Sequence, residues 1–211
     1  MLPELDNFEV KNRWQKVHLD RFLKSGWPSS KNEEWKFTSL HHLVQKPFKI
    51  GLDVEGIAEN KSAPAIQDAN QLIFRNGIFD PQLSAVGSTD LVIGNLLDDN
   101  STSVFFNQTS LKQHPVFNLT VGAMRSATVI DVDNASSSKI PLIELFFTGG
   151  LIKQSSHPLV VVRLAKDSKV NILETHSSCN GLSAPIILIE LSDGSICNHV
   201  KCQVANLDSI Q

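Results

Sequence analysis

The second half of the chain is a succession of short apolar segments rich in Val, Ile and Leu. After Arg125 these segments are separated by Asp, Asn, Ser and Gly, and no long helix-period pattern lies between them. Aliphatic runs of this length between turn residues are typical of β-strands, which excludes a doubly wound α/β fold. We predict six strands, at Ser126–Val132, Leu142–Phe147, Leu159–Leu164, Lys169–Thr175, Pro185–Leu191 and Ser195–Val204.

One segment of this region repeats. The run from Val161 to Val170 resembles the run from Ile187 to Ile196, at an offset of 26 residues. In each copy a strand turns through Asp-Ser or Asp-Gly into a second strand. A repeat of this period is typical of the stacked rungs of a parallel β-helix. Two copies leave a β-sandwich equally open.

The first forty residues read as helical. Helix-spaced apolar residues indicate one helix that ends at Gly26, where glycine serves as a C-terminal cap. They are Trp14, Val17, Leu19, Phe22 and Leu23. We predict a second short helix that begins near Ser30 and ends at Leu43.

The middle of the chain mixes turn signals with apolar runs. Asn76-Gly77 lies between two such runs and predicts a β-hairpin near residues 71–84. Leu91–Leu97 is a further candidate strand. Val104–Met124 is ambiguous, because its apolar residues suit a helix but Pro115 interrupts the pattern.

Composition excludes several classes of protein. The 211 residues are 41% hydrophobic and 19% charged, with a net charge of −3. This balance is typical of a folded globular chain and gives no electrostatic attraction to nucleic acid or to anionic membranes. Three cysteines make no disulfide framework, and the N-terminus resembles no signal peptide, so we expect a cytoplasmic protein. Because phosphate-binding and dinucleotide-binding glycine motifs are missing, an ATPase or nicotinamide enzyme is not expected.

Few residues are candidates for chemistry. Cys197 and His199 are two apart on a predicted strand and therefore share one side, where they could present a sulfur and an imidazole to a metal or cluster. Two ligands fall short of a closed four-ligand site. We expect that side, with Lys201, to be the solvated outer face. Ile196, Val200, Cys202 and Val204 would then face the core, with Cys202 a small buried side chain.

Three other sets of residues give no site. Cys179 lies in a segment whose composition is typical of a loop, where an exposed thiol could carry sulfur. Side chains of adjacent His41 and His42 diverge on a helix and cannot chelate together. Asp131 and Asp133 have no third oxygen ligand and read as a solvated turn. The sequence therefore predicts no catalytic, cofactor-binding or metal residue, and leaves open whether any cysteine handles sulfur or iron.

Tryptophans concentrate in the helical region. Trp14, Trp27 and Trp35 could form a partner surface, since tryptophan often anchors interfaces. We expect instead that they pack the helices against the β region.

Two motifs resemble a known family. Gly26-Trp27-Pro28, followed by Glu34-Trp35-Lys36-Phe37-Thr38 and Leu40, is similar to the N-terminal signature of the SufB/SufD family. Phe74-Arg75-Asn76-Gly77-Ile78-Phe79, followed by Pro81-Gln82-Leu83-Ser84, resembles that family's hairpin. Ser156-His157-Pro158, and His199 with Gln203, also lie where SufD-like chains carry similar residues. The first motif favours the SufD branch.

The resemblance implies a fold and a role. SufD-like proteins have a helical N-terminal region, a right-handed parallel β-helix and a C-terminal helical region. Such a protein is a non-catalytic scaffold subunit for iron–sulfur cluster assembly that pairs with SufB-like and SufC-like proteins, the latter being the ATPase. An iron–sulfur cluster at the interface with the SufB-like partner is implied by the resemblance alone. Whether the chain forms a homodimer is left open.

The sequence also departs from the family. The late Lys-Cys-Ser-His-Gly stretch and the C-terminal helical region are missing, so we expect an N-terminal region at 1–125 and the start of a truncated β-helix at 126–211. A fragment, a truncated gene and a short variant all fit, and SufC binding is in question. Two rival functions remain. One is a β-solenoid interaction module without a metal role. The other is a β-helical carbohydrate-active enzyme, whose outward acids would be Glu144, Glu174 and Glu190.

Overall fold

The computed structural model describes residues 10, 13–38, 40, 49–50, 66–96, 110–148, 154–177 and 181–204. These residues are mainly β, with two α-helices and two short 3-10 turns at Glu33–Trp35 and Ser110–Gln113. The helices are α1 (Arg13–Ser25) and α2 (Pro115–Ala123). The strands are β1 (Lys49–Ile50), β2 (Ala69–Arg75), β3 (Ile78–Ala85), β4 (Leu91–Asn95), β5 (Ala127–Val132), β6 (Leu142–Thr148), β7 (Gln154–Ser156), β8 (Leu159–Leu164), β9 (Lys169–His176), β10 (Leu182–Ser183), β11 (Ile186–Leu191) and β12 (Ile196–Gln203).

The strands form three sheets. Their orders are β1-β7-β10, β11-β8-β5-β4 and β12-β9-β6-β2-β3. Only β3 and β4 pair antiparallel with their neighbours, and every other described pair is parallel. The six strands predicted after Arg125 are confirmed within two residues at each end. The structure adds the short strands β7 and β10, which contain three and two residues and are too short to give a recognisable sequence pattern.

The internal repeat is confirmed, but its predicted register is wrong by one residue. Strands β7, β8 and β9 pair in parallel with β10, β11 and β12, and each pair is offset by 27 residues. The reason lies in the turn, where Asp167 and Gly194 both adopt positive φ (60° and 70°). The two Asp residues aligned by sequence comparison therefore do not correspond. Gly194 stacks on Asp167 so closely that a Cβ on Gly194 would collide with the Asp167 carboxylate.

The hairpin predicted at 71–84 is confirmed. β2 and β3 pair antiparallel around Asn76 and Gly77, whose φ angles are +48° and +80°. Two central residues with positive φ match the type I′ turn that suits the twist of a tight hairpin. The predicted strand at Leu91–Leu97 is confirmed as β4.

The N-terminal helices pack on the outside of the sheet that contains β5, β8 and β11. Phe117, Val121 and Met124 of α2 form one apolar cluster with Val129 and Val161 of that sheet. Pro115 does not interrupt α2 as predicted but begins it, because proline lacks only an N–H that the first turn leaves unpaired.

Helix α1 is confirmed with a rotated face. It buries Gln15, His18, Leu19 and Phe22, while Val17, which was predicted on the apolar face, is exposed. Two polar contacts explain the rotation. Gln15 Nε2 donates to the carbonyl of Met124 at 2.8 Å, and His18 hydrogen-bonds Asn118 at 2.7 Å. Gly26 caps the helix at φ +70°, with its N–H donating to the Phe22 carbonyl.

The predicted helix from Ser30 to Leu43 is wrong over its described part. Only a 3-10 turn forms, at Glu33–Trp35. Phe37 is 93% exposed, so this segment has no buried apolar face to support a helix. Residues 41–48 lie outside the described part.

The tryptophan prediction is confirmed at two positions. Trp14 packs against the cluster between α2 and the sheet, and Trp27 packs against Phe22, Ile50 and Leu182. Trp35 contacts the ring of His114.

Candidate functional site

Strand β9 turns two ionisable side chains into the interior. Burial alternates along it, so that Val170, Ile172, Glu174 and His176 are buried and the residues between them are more exposed. Because alternate side chains of a strand share one face, Glu174 and His176 point the same way as the aliphatic core residues. In register, Glu174 lies beside Leu145 of β6. A carboxylate at such a position needs partners, since an unpaired buried charge is very unfavourable.

The partners come from β9 itself and from β12. His176 Nε2 lies 2.5 Å from Glu174 Oε1, and His199 Nε2 lies 2.9 Å from Glu174 Oε2. Lys201 Nζ lies 3.0 Å from Oε1. The Glu174 side chain is 5% exposed, whereas those of His199 and Lys201 are 29% and 44% exposed. We call these four residues the Glu174 cluster.

The pKa of Glu174 reflects two opposing causes. Burial alone raises this pKa, because it penalises the charged form. Hydrogen bonds from His176 and Lys201, together with their positive charges, outweigh burial and lower the pKa of Glu174 to about 2. Glu174 is therefore a carboxylate at neutral pH and holds β12 to β9 from inside the sheet.

A column of rings supports the inner end of the cluster. His176 stacks on Phe147 with ring centroids 4.9 Å apart, and Phe147 stacks on Phe74 at 4.8 Å. The three rings belong to neighbouring strands β9, β6 and β2, in register with one another. The His176 imidazole is thus fixed by a ring on one side and a carboxylate on the other.

The faces predicted for β12 are wrong. Cys197, His199 and Lys201 do share one side, as predicted, but that side continues the core-facing row of β9. Cys197 packs against the core, and burial raises the pKa of its thiol. Cys202, predicted to be buried, is exposed. Ile196, Val200 and Val204, also predicted to face the core, are exposed. The apolar residues of β12 thus lie on its outer side, which is why their alternation predicted the wrong face.

The three carboxylates considered for a carbohydrate enzyme do not share a groove. Glu174 was expected to point outward but faces the core. Glu144 is buried and accepts hydrogen bonds from Gln71 and Thr175. Glu190 pairs with Arg163 at 3.4 Å on another sheet.

Asp131 lies on the same sheet as Glu190 and contacts the same arginine, because Arg163 lies 3.9 Å from its carboxylate. Cys179, His41 and His42 lie outside the described residues. Within the described part of the chain, no three or more His, Cys, Asp or Glu side chains are arranged to hold a metal ion.

A second buried histidine joins the helices to the strands. His157 Nε2 lies 3.1 Å from the Ser155 hydroxyl, and its Nδ1 lies 3.4 Å from the Thr120 hydroxyl. The Thr120 hydroxyl donates its own hydrogen to the carbonyl of Ala184. The Ser155 hydroxyl likewise has a carbonyl acceptor, that of Lys49 at 3.5 Å, so His157 lies within a buried network of hydroxyl and carbonyl groups. Burial lowers the pKa of His157 to about 4.

We expect His157 to make the fold sensitive to mild acid. In the unfolded chain this ring gains a proton near pH 6.5, whereas in the folded protein it does so only near pH 4. Stability is therefore lost as the pH falls from 6.5 towards 4, by about 2 kcal/mol at pH 5. Urea unfolding at pH 7.5 and pH 5 should show this loss for the natural chain and a smaller loss for His157→Gln. An equal loss in the natural chain and in His157→Gln would show that His157 does not cause the sensitivity to acid.

Comparison with known proteins gives one informative similarity. No protein-family model matches the chain. It is 26% identical over 196 residues to the iron-sulfur cluster assembly protein SufD of Escherichia coli (strain K12), which covers 90% of this chain and 45% of that protein. The similarity confirms the SufD-like relationship indicated by the two N-terminal motifs. The chain spans less than half the length of this relative. No helix in the described ranges is long and apolar enough to cross a bilayer.

Proposed function

We propose that this chain is a non-catalytic component of iron–sulfur cluster assembly that pairs with a SufB-like protein and a SufC-like ATPase. The observation that carries the proposal is the similarity to SufD, which extends over 90% of the chain and so includes the helices and the strands alike. The iron–sulfur cluster is cargo in this proposal, assembled at the contact with the SufB-like partner. The cytoplasm is the compartment that the proposal requires.

The proposal includes a partial right-handed parallel β-helix. Its support is the way that one 27-residue repeat gives one strand to each of the three sheets. Successive repeats then add parallel strands in register, with the apolar side chains of β5, β8, β6 and β9 turned towards one shared core. A rigid stack of this kind suits a subunit that holds partners at fixed positions.

The state of the acidic side chains supports a scaffold over an enzyme. A glycoside hydrolase of the usual kind needs two carboxylates, one on either side of the glycosidic bond. Here Glu174 is held by three basic groups, Glu144 by an amide and a hydroxyl, and Glu190 by Arg163. Each of these carboxylates lies in a different environment, and the contacts of each support a structural role rather than a catalytic one.

An anaerobic assembly assay tests the proposal. SufB and SufC proteins would be mixed with ferrous iron, a sulfide source and ATP, with and without this chain, and cluster formation followed by visible absorbance. We expect the cluster yield to rise in proportion to added chain and to level off near one chain per SufB, because a scaffold acts stoichiometrically. A chain denatured beforehand is the control. No change in yield would contradict a role in assembly and favour an interaction module without a metal role.

A further inference from the structure

The helices and the strands have separate apolar cores. The core inside the stack consists of side chains from β2, β4, β5, β6, β8 and β9, and none of its described members lies on a helix. The cluster beneath α2 lies on the opposite side of β5 and β8, where Phe117 and Val121 pack with Val129 and Val161. We call α1 and α2 the helical layer. Because the layer contributes no side chain to the inner core, it can separate from the strands without opening that core.

A buried histidine holds each side of α2. On the side of α1, His18 is 2% exposed, and its Nδ1 lies 2.7 Å from the amide oxygen of Asn118. On the side of the strands, His157 is 3% exposed, and its ring nitrogens lie 3.4 Å from the Thr120 hydroxyl and 3.1 Å from the Ser155 hydroxyl. These partners are neutral groups, which suit a neutral imidazole and carry no charge to balance a protonated one.

The surroundings of both rings favour the neutral form. Burial lowers the pKa of His18, the hydrogen bond to Asn118 raises it, and the positive charge of Arg21 lowers it further. Burial alone lowers the pKa of His157 to about 4. The groups that face His157 from the neighbouring elements are uncharged, namely the Thr120 and Ser155 hydroxyls, the Ala184 carbonyl beside Thr120 and the backbone of Gly77.

The strands respond differently to the same range of pH. The carboxylate of Glu174 holds β12 to β9, and because its pKa is about 2 it stays charged where His157 gains a proton. Protons taken up by His176 and His199 add positive charge beside this carboxylate, which is favourable. Mild acid therefore weakens the attachment of the helical layer and leaves these contacts between strands intact.

We infer that the helical layer is an acid-sensitive cover of the stack, which protonation of His18 and His157 releases while the inner core of the strands persists. A protonated imidazole enclosed in either interface is very unfavourable, and opening of the layer hydrates it. Release exposes the outer apolar face of β5, β8 and β11, which includes Val129, Val161 and Leu188. This inference does not depend on the proposed function.

Urea unfolding followed by two signals tests the inference. Fluorescence of Trp14, in a full chain with Trp27→Phe and Trp35→Phe, reports the helical layer, because Trp14 packs against the cluster beneath α2. Far-ultraviolet circular dichroism reports the strands. Between pH 7.5 and pH 5, His157 alone should favour opening of the layer by about thirtyfold. We therefore expect the Trp14 transition to move to lower urea and to separate from the strand transition.

Matched variants distinguish the two buried histidines from other effects of acid. Glutamine keeps hydrogen-bonding groups but does not titrate, so the chain with His18→Gln and His157→Gln should show the same spacing of the two transitions at pH 5 as at pH 7.5. His114→Asn is the control. His114 is the N-cap of α2, is partly exposed and faces Glu34 at 3.8 Å, and asparagine caps helices without titrating. We expect this control to behave as the natural chain does.

The natural chain supplies a readout that needs no substitution. Anilinonaphthalene sulfonate binds exposed apolar surface, and at pH 5 its fluorescence should rise at urea concentrations that leave the strand signal unchanged. Coincident dye, Trp14 and strand transitions at pH 5 would overturn the inference. Acid-dependent separation that persists when both histidines are glutamine, or that disappears in His114→Asn, would overturn it as well.

Discussion

Glu174→Gln should destabilise the protein by about 3 kcal/mol. The substitution preserves the shape of the side chain but removes the negative charge that His176, His199 and Lys201 share. A glutamine has one acceptor oxygen, and its NH₂ group would meet a basic neighbour. Breaking a buried ion pair on one side costs about 3–5 kcal/mol, and the partial exposure of Lys201 places this site at the lower end. Urea unfolding at pH 7 measures the difference directly.

A control substitution and the dependence on pH show whether the loss of stability comes from the buried charge of Glu174. Glu190→Gln removes the same charge from an exposed pair and should change the free energy of unfolding by less than about 0.5 kcal/mol. Because the pKa of Glu174 is lowered to about 2, its stabilising effect is complete above pH 4.5 and disappears as the pH falls towards 2. The natural chain and Glu174→Gln should therefore converge in stability near pH 2. Equal stability at pH 7 would contradict the cluster.

Gly122→Val should destabilise the protein by about 3 kcal/mol. Helices α1 and α2 cross where Gly122 faces Leu19, and a Cβ at Gly122 would lie 2.8 Å from the backbone of Leu19. Neither a backbone atom nor a Cβ can rotate away, so α1 must move away from α2. Overpacking of this kind costs about 1–3 kcal/mol or more. Gly87→Val is the matched control, since a Cβ there meets nothing within 4 Å.

The displacement of α1 by Gly122→Val can be measured separately from the loss of stability. Trp14 packs against the cluster that α2 shares with β5 and β8. We expect Gly122→Val to shift the fluorescence of Trp14 towards that of an exposed indole before the strands unfold, which can be measured with Trp27 and Trp35 replaced by Phe in both chains. A variant as stable as Gly87→Val, with unchanged fluorescence, would show that the two helices do not approach so closely.

Much of the β architecture could be predicted from sequence because local signals agree with it. Val, Ile and Leu runs between turn residues predicted six strands, and Asn76-Gly77 predicted the hairpin. The register could not be predicted in the same way. It depends on which residue of each turn adopts positive φ, and Asp167 does so where Gly194 does in the next repeat.

The candidate site was missed because the apolar residues of β12 predicted the wrong face. Ile196, Val200 and Val204 were expected in the core but are exposed, whereas His199 and Lys201 lie beside Ile172 and Glu174. The signal that could have found them is the alternation of β9, where Val170, Ile172, Glu174 and His176 occupy every second position. A glutamate within an otherwise apolar row predicts buried basic partners, and β12 is the neighbouring source of them.

The proposed pairing of this chain with a SufB-like protein can be tested by size-exclusion chromatography of a purified mixture with light-scattering detection. The chain has a mass of 23.3 kDa. We expect a component whose mass equals that of the chain plus one SufB. Two components with the masses of the separate proteins, at concentrations well above micromolar, would contradict it.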